Sequence, residues 1–398
     1  MNQTSSNKPD AHKAPNHSGS TLWSLGFRPF YLLASIFGAL SILLWAMQFS
    51  GYLPSAYLQG PLWHGHEMLF GYTIAVIAGF LLTAVRAWTS EATPSGMPLM
   101  ALAALWVCGR ISVLTPFATI ATVLNAAFPV AIAIAIGIPL FRARNARNYF
   151  LVGLLMLLAA SLVTVHLALQ GHVELSPRFG MQLALDMVLF IMVVISGRVV
   201  PMFTNNGIPG TNATRHPLVE KLALGTALLL IVADLLQLPH QVIAVIALAT
   251  ALAHSVRLYL WKPWRTFAVP LAWILHAAYA WIILYLVLRS LSELNVLAGS
   301  YAIHALTVGA IGGLTLGMMI RTARGHTGRP LIADRAELLI FLLIQAAALI
   351  RVFGGIASPD FYMISIQLSA LLWSAAFGLF AVRYWPVLIR PRLDGKPG

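Results

Sequence analysis

Runs of mainly apolar residues, each roughly 18 to 25 long, recur along the chain and are separated by short polar breaks. As a helix, such a run crosses ~30 Å of hydrocarbon at ~1.5 Å per residue. The runs fall at 29–49, 64–88, 97–114, 116–141, 149–169, 179–203, 218–238, 239–261, 267–290, 298–320, 333–353 and 362–387. With 59% hydrophobic and 9% charged residues and a mean hydropathy of +0.81, the chain lies outside the range of soluble globular proteins. The fold class this predicts is all-α, a polytopic membrane protein of twelve transmembrane helices.

The net charge of +13 suggests nucleic acid at first sight. The basic residues, however, fall in short clusters between apolar runs, where orientation rules and lipid headgroups account for them, so no nucleic-acid partner is expected. Arg86, then Arg142, Arg144 and Arg147, then Arg215, then Lys262 and Arg265, then Arg321, Arg324 and Arg329 all fall on connections that alternate along the chain. Arg390, Arg392 and Lys396 extend the series into the carboxyl tail, which places both termini in the cytoplasm. Residues 1–20 are polar and read as a disordered cytoplasmic tail, with the first hydrophobic helix as an uncleaved targeting signal. Residues 21–390 form the membrane domain and 391–398 a second cytoplasmic tail. Cys108 is the single cysteine, so no disulfide forms within the chain, and without a Cys-x-x-Cys-His motif any haem is held non-covalently.

The orientation brings several ionisable residues to the outer ends of the helices. His64, His66 and Glu67 begin helix two, His304 lies early in helix ten, Asp186 is about two turns into helix six, and Arg110 and Arg351 approach from helices three and eleven. An ionisable group in the hydrocarbon costs at least ~2.5 kcal/mol, so this concentration requires partners. Small residues follow His66 at Gly71, Ala75 and Gly79, and follow His304 at Gly309, Gly313 and Gly317. Such ridges serve close helix packing or make room for a flat macrocycle between helices two and ten. In the second reading His66 and His304 are axial haem ligands, Glu67 or Asp186 orients an imidazole, and Arg110 and Arg351 pair with propionates. His64 diverges from His66 by ~200° on a helix and serves a different partner; with Met68, four residues on, it forms a Cu(I)-type pair. His276, deep in helix nine, is a further ligand candidate, as is His326 in the loop after helix ten. His166 and His254 read as hydrogen-bonding core residues. The basic loops 197–207 and 321–330 are explained by orientation and lipid phosphate.

At these residues the sequence resembles the NnrS family. The resemblance rests on Gly26-Phe27-Arg28-Pro29-Phe30, Trp63-His64-x-His66-Glu67-Met68-Leu69-Phe70-Gly71, Ala78-Gly79-Phe80-Leu81-Leu82-Thr83-Ala84-Val85, Gly197-Arg198 with Pro201-x-Phe203-Thr204-Asn205, the run from His304 to Gly313, and Gly325-His326-Thr327-Gly328-Arg329-Pro330. Val85-Arg86-Ala87-Trp88 departs from the family pattern, where a proline or asparagine is typical. The resemblance implies a haem b and copper protein of the bacterial inner membrane, associated with denitrification and resistance to nitric oxide. Nitric oxide or a related small nitrogen oxide, an electron donor of unknown identity and membrane lipid are the implied partners.

Two other functions are compatible with twelve helices. One is a transporter of a small anion or metabolite, although the ionisable residues gather at the outer face rather than the midplane. The other is a nitric oxide reductase similar to haem–copper oxidases, which hold a haem between histidines of helices two and ten. The chain lacks that group's histidine in helix six, adjacent pair in helix seven and His-x-His in helix ten.

Overall fold

The structure, a computed structural model, describes residues 21–49, 51–52, 57–58 and 60–395. The amino-terminal tail and residues 396–398 lie outside the described residues. The described chain is helical with short turns and contains no strand. The long helices are α1 Phe27–Phe49, α2 Gly60–Thr89, α3 Met97–Ser112, α4 Ala118–Arg142, α5 Phe150–Leu169 and α6 Pro177–Gly207. They continue as α7 Pro217–Leu235, α8 His240–Leu260, α9 Pro270–Glu293, α10 Gly299–His326, α11 Arg335–Ala357 and α12 Tyr362–Leu388.

Among the described residues, 10 of these helices are long and apolar enough to cross a membrane, which makes the chain a polytopic membrane protein. Two expected spans fall outside that set for physical reasons. Helix α3 has 16 residues, about 24 Å at 1.5 Å each, short of the hydrocarbon thickness. Helix α7 carries Glu220, Lys221 and Asp234 within 19 residues. Helix α6 also outruns its expected end: it continues through Pro201 to Gly207, because Thr204 Oγ1 and the backbone amide of Ile208 bond to carbonyls a turn earlier.

Local sequence sets many of the helix starts. Proline at a first or second position opens α3, α6, α7 and α9, where its missing N–H would be unpaired anyway. Asp334 caps α11 in a reciprocal box: its carboxylate accepts from the amides of Ala336 and Glu337 (3.0 Å each), and Glu337 accepts from the Asp334 amide (3.0 Å). Successive helices pack side by side, and α1 closes the bundle by packing against α12 as well as α2. The short connections make neighbours antiparallel, so the even-numbered helices all begin at one end, here called the histidine end. The other is the arginine end.

Helices α2 and α10 share a feature beyond their glycines. Each changes from α to π winding immediately after a histidine, at Glu67–Thr73 after His66 and at Ala305–Ile311 after His304. A π turn leaves a carbonyl without its usual partner and often marks a functional position. In α2 the released groups are taken up locally: Thr73 Oγ1 donates to the Met68 carbonyl (2.8 Å) and Trp106 Nε1 donates to the Gly71 carbonyl (2.9 Å).

The glycine ridges are filled by packing. A Cβ on Gly309, Gly313 or Gly317 would lie within 3.0 Å of Trp281, Ala278 or Leu275 respectively, all on α9. On α2, a Cβ at Gly79 would lie 3.0 Å from Phe30 and Tyr31 of α1. The two ridges therefore face α9 and α1, and close packing, the first of the two sequence readings, accounts for them.

Candidate functional site: two imidazole clusters at the histidine end

The first cluster is a buried chain of polar groups drawn from five segments. His66 and Glu67 stand at the α2 junction between α and π winding, and both are 0% exposed. His66 Nδ1 donates to Glu67 Oε1 (2.8 Å), and Arg110 of α3 donates to the same oxygen (2.5 Å). The Arg110 guanidinium also bonds Asn125 Oδ1 on α4, whose amide nitrogen donates to the carbonyls of Ala121 (2.8 Å) and Gly109 (3.2 Å). Gly71 makes this possible, since a Cβ there would lie 2.4 Å from Arg110 Nη1.

At its other nitrogen, His66 Nε2 lies 3.0 Å from His166 Nε2 on α5, with the rings nearly perpendicular at 87°. His166 Nδ1 bonds the hydroxyl of Tyr57, in the segment before α2. Because Glu67 is a carboxylate acceptor beside an arginine, it fixes the His66 proton on Nδ1 and leaves the Nε2 lone pair directed at His166. Two proton arrangements then satisfy the cluster. Either Tyr57 donates to His166 Nδ1 and His166 Nε2–H donates to His66, or His166 Nδ1–H donates to Tyr57 and both Nε2 lone pairs converge on one point. The second arrangement requires a cation between them. The Met181 sulfur packs beside Gly65, 3.4 Å from where a Cβ would be.

The second cluster joins α2 to α10. His304 Nδ1 donates to the Ser300 carbonyl (2.6 Å) and lies within electrostatic range of His64 and Arg351. The His64 ring packs on Trp45 of α1 at 5.1 Å, and its Nδ1 is buried without a partner, as is one terminal nitrogen of Arg351. Arg351 otherwise lies over the Tyr362 ring at 5.7 Å.

The contacts of the α2 histidines differ from the expected pairing of His66 with His304. His66, expected opposite His304, has both ring nitrogens committed to Glu67 and His166. His64 is the α2 histidine near His304. Arg110 holds Glu67 rather than standing at a rim. Met68 shares the α1-facing side of α2 with His64, and its sulfur accepts from Ser41 Oγ (3.3 Å). His276 is in the other half of the bundle, bonded to the Ala272 carbonyl (3.0 Å) and 3.4 Å from Thr204 Oγ1. His326 is at the arginine end, its ring 5.6 Å from Phe27.

Asp186 is not a partner for either imidazole cluster. It pairs with Arg289 of α9 (3.1 Å), which also binds Asp234 of α7 (2.5 Å) and reaches Glu293 (3.5 Å). Gln182 and Tyr285 complete this separate network, with Gln182 Nε2 donating to Asp186 Oδ1 (3.0 Å) and Arg289 to the Tyr285 hydroxyl (3.1 Å). His166, Tyr57, Asn125, Arg289 and Asp234 were not singled out from sequence as site residues. Arg289 and Asp234 sit near helix ends, where a charge is ordinarily solvated, and His166 has no local motif.

A polytopic helical membrane protein with buried imidazole, carboxylate and guanidinium networks at one end is the class that this fold defines. The chain belongs to the NnrS protein family, whose sequence profile matches residues 21–392, nearly its whole length. Among curated proteins there is no match.

Proposed function

We propose that this protein is a haem b and copper protein of the bacterial inner membrane that acts in the response to nitric oxide, both termini lying in the cytoplasm and all twelve long helices embedded. Membership of the NnrS family supports the link to nitric oxide. The observation that carries the metal reading is the 3.0 Å approach of His66 Nε2 and His166 Nε2, with each Nδ1 engaged by a second side chain. Nitrogens at that separation can both sit about 2.0–2.1 Å from one ion, and metal-binding imidazoles usually donate their other N–H to an oxygen. Imidazole donors suit copper. Among the described residues no group of three or more His, Cys, Asp and Glu converges, so the protein contributes a histidine pair rather than a closed carboxylate or thiolate cage.

His64 and His304 are the residues that would hold a haem. His304 is held with Nε2 available for ligation, and the partnerless nitrogens of His64 and Arg351 are buried donors suited to iron and to a propionate. Bound there, haem and copper would supply one-electron chemistry toward a small nitrogen oxide. The chain's own contribution is orientation and charge. Glu67 fixes the His66 tautomer, Arg110 holds Glu67 in position by donating to its Oε1, and Tyr57 is placed to give up or receive the His166 proton as the imidazole changes role.

Metal analysis and spectra of the detergent-solubilised protein test this. His66→Ala and His166→Ala should each lose copper and retain a reduced b-type spectrum, whereas His64→Ala and His304→Ala should lose that spectrum. A colourless, metal-free wild-type preparation would overturn the reading and favour transport.

A further inference from the structure

At the arginine end, α11 begins and α12 finishes around a cleft of about 220 Å³ lined by Arg324, Arg329, Arg383, Arg390, Glu337 and Tyr384, with Pro386 and Val387. Its charges are unequal. Glu337 Oε1 accepts from Arg324 (2.6 Å) and from the Tyr384 hydroxyl, and Asp334 accepts from Arg383 (2.5 Å). Among the described residues Arg329 and Arg390 have no such carboxylate, and Arg329 Nη1 is buried without a partner. Arg28, 0% exposed, stands behind the cleft and fixes its wall by donating to the carbonyls of Leu388 (2.7 Å) and Arg390 (2.9 Å). Two further nitrogens of Arg28 are buried and unpartnered.

Large apolar side chains close to the lining residues in sequence are exposed: Ile332 is 71% exposed, Val382 76%, Trp385 49% and Leu393 67%. A cleft with unneutralised guanidinium groups, in a stretch of chain that exposes large apolar side chains, matches a ligand with an anionic head and hydrocarbon tails. Arginine binds phosphate oxygens through forked hydrogen bonds, and tryptophan settles at the headgroup level of a bilayer.

The geometry points to a binding site for the phosphate of an anionic phospholipid, in which Arg329 and Arg390 grip the headgroup and the α12 face holds its chains. The site is separate from the imidazole clusters and does not depend on their metals.

Its test is native mass spectrometry of the purified full chain with phosphatidylglycerol or phosphatidylcholine, comparing wild type with the double variant Arg329→Gln, Arg390→Gln. Neither side chain makes a carboxylate pair among the described residues, so the variant should fold and melt as wild type. A second double variant, Arg142→Gln, Arg144→Gln, removes equal charge from an exposed connection at the same end. Wild type and this control should retain phosphatidylglycerol in preference to phosphatidylcholine. The cleft variant should bind phosphatidylglycerol roughly thirtyfold more weakly, each arginine at an anionic surface contributing about a factor of five. Inorganic phosphate at millimolar concentration should displace part of the bound lipid. Equal retention of the two lipids, equal weakening by both double variants, or stabilisation by inorganic phosphate with no lipid retained would each overturn the assignment.

Discussion

Replacing Arg110 with methionine isolates the buried ion pair on which the first imidazole cluster depends. Glu67 is 0% exposed, its Oε2 has no partner, and its Oε1 receives His66 Nδ1–H and the guanidinium. Methionine fills comparable apolar volume but withdraws the positive charge, leaving a carboxylate in hydrocarbon with one imidazole for company and Asn125 Oδ1 without its donor. Breaking a buried pair from one side costs about 3–5 kcal/mol, most of it the unpaired charge that remains. Neutralising both partners removes that charge. Glu67→Gln, Arg110→Met should therefore be more stable than Arg110→Met alone, with a coupling of roughly 2–3 kcal/mol in a double-mutant cycle. Equilibrium unfolding in mixed micelles at fixed detergent composition reads both quantities. A loss under about 1 kcal/mol for Arg110→Met, or additive effects in the cycle, would refute the claim that the pair is desolvated and mutually required.

Arg289→Met should be at least as costly, about 3–5 kcal/mol by the same unfolding assay, because it leaves both Asp186 and Asp234 buried without their shared cation, whereas Asp186→Asn should cost less. Gly197→Ala places a Cβ 1.8 Å from Arg257 Nη2 and should destabilise by at least about 1–3 kcal/mol, while Gly225→Ala meets nothing within 4 Å and should be neutral or stabilising by up to about 1 kcal/mol. Burial raises the Asp334 carboxyl, but the Glu337 amide and Arg383 outweigh it and hold its pKa below the ordinary 3.8. Its stabilising effect is thus present above that value and is lost as pH falls through the lower folded value. Asp334→Ala should cost about 1 kcal/mol at pH 7, with the difference from wild type shrinking in acid; a pH-independent difference would contradict the cap's ionisation.

Ten of the twelve helices were legible as membrane spans because lipid imposes a length: a run of Leu, Ile, Ala and Val that crosses it must be helical and about twenty residues long whatever its neighbours are. The same rule marked His64, His66, Glu67, Arg110, Asp186, His304 and Arg351 as residues that need partners. It did not identify the partners. Pairing depends on helix rotation, and the π turns following His66 and His304 alter rotation locally without a composition signal. Three-dimensional packing therefore brings His66 to His166, a histidine one hundred residues away, and gives Asp186 to Arg289. Hydrophobic length is a property of one segment and is written in it. A hydrogen bond between helices belongs to two rotations and a separation, which only the assembled bundle sets.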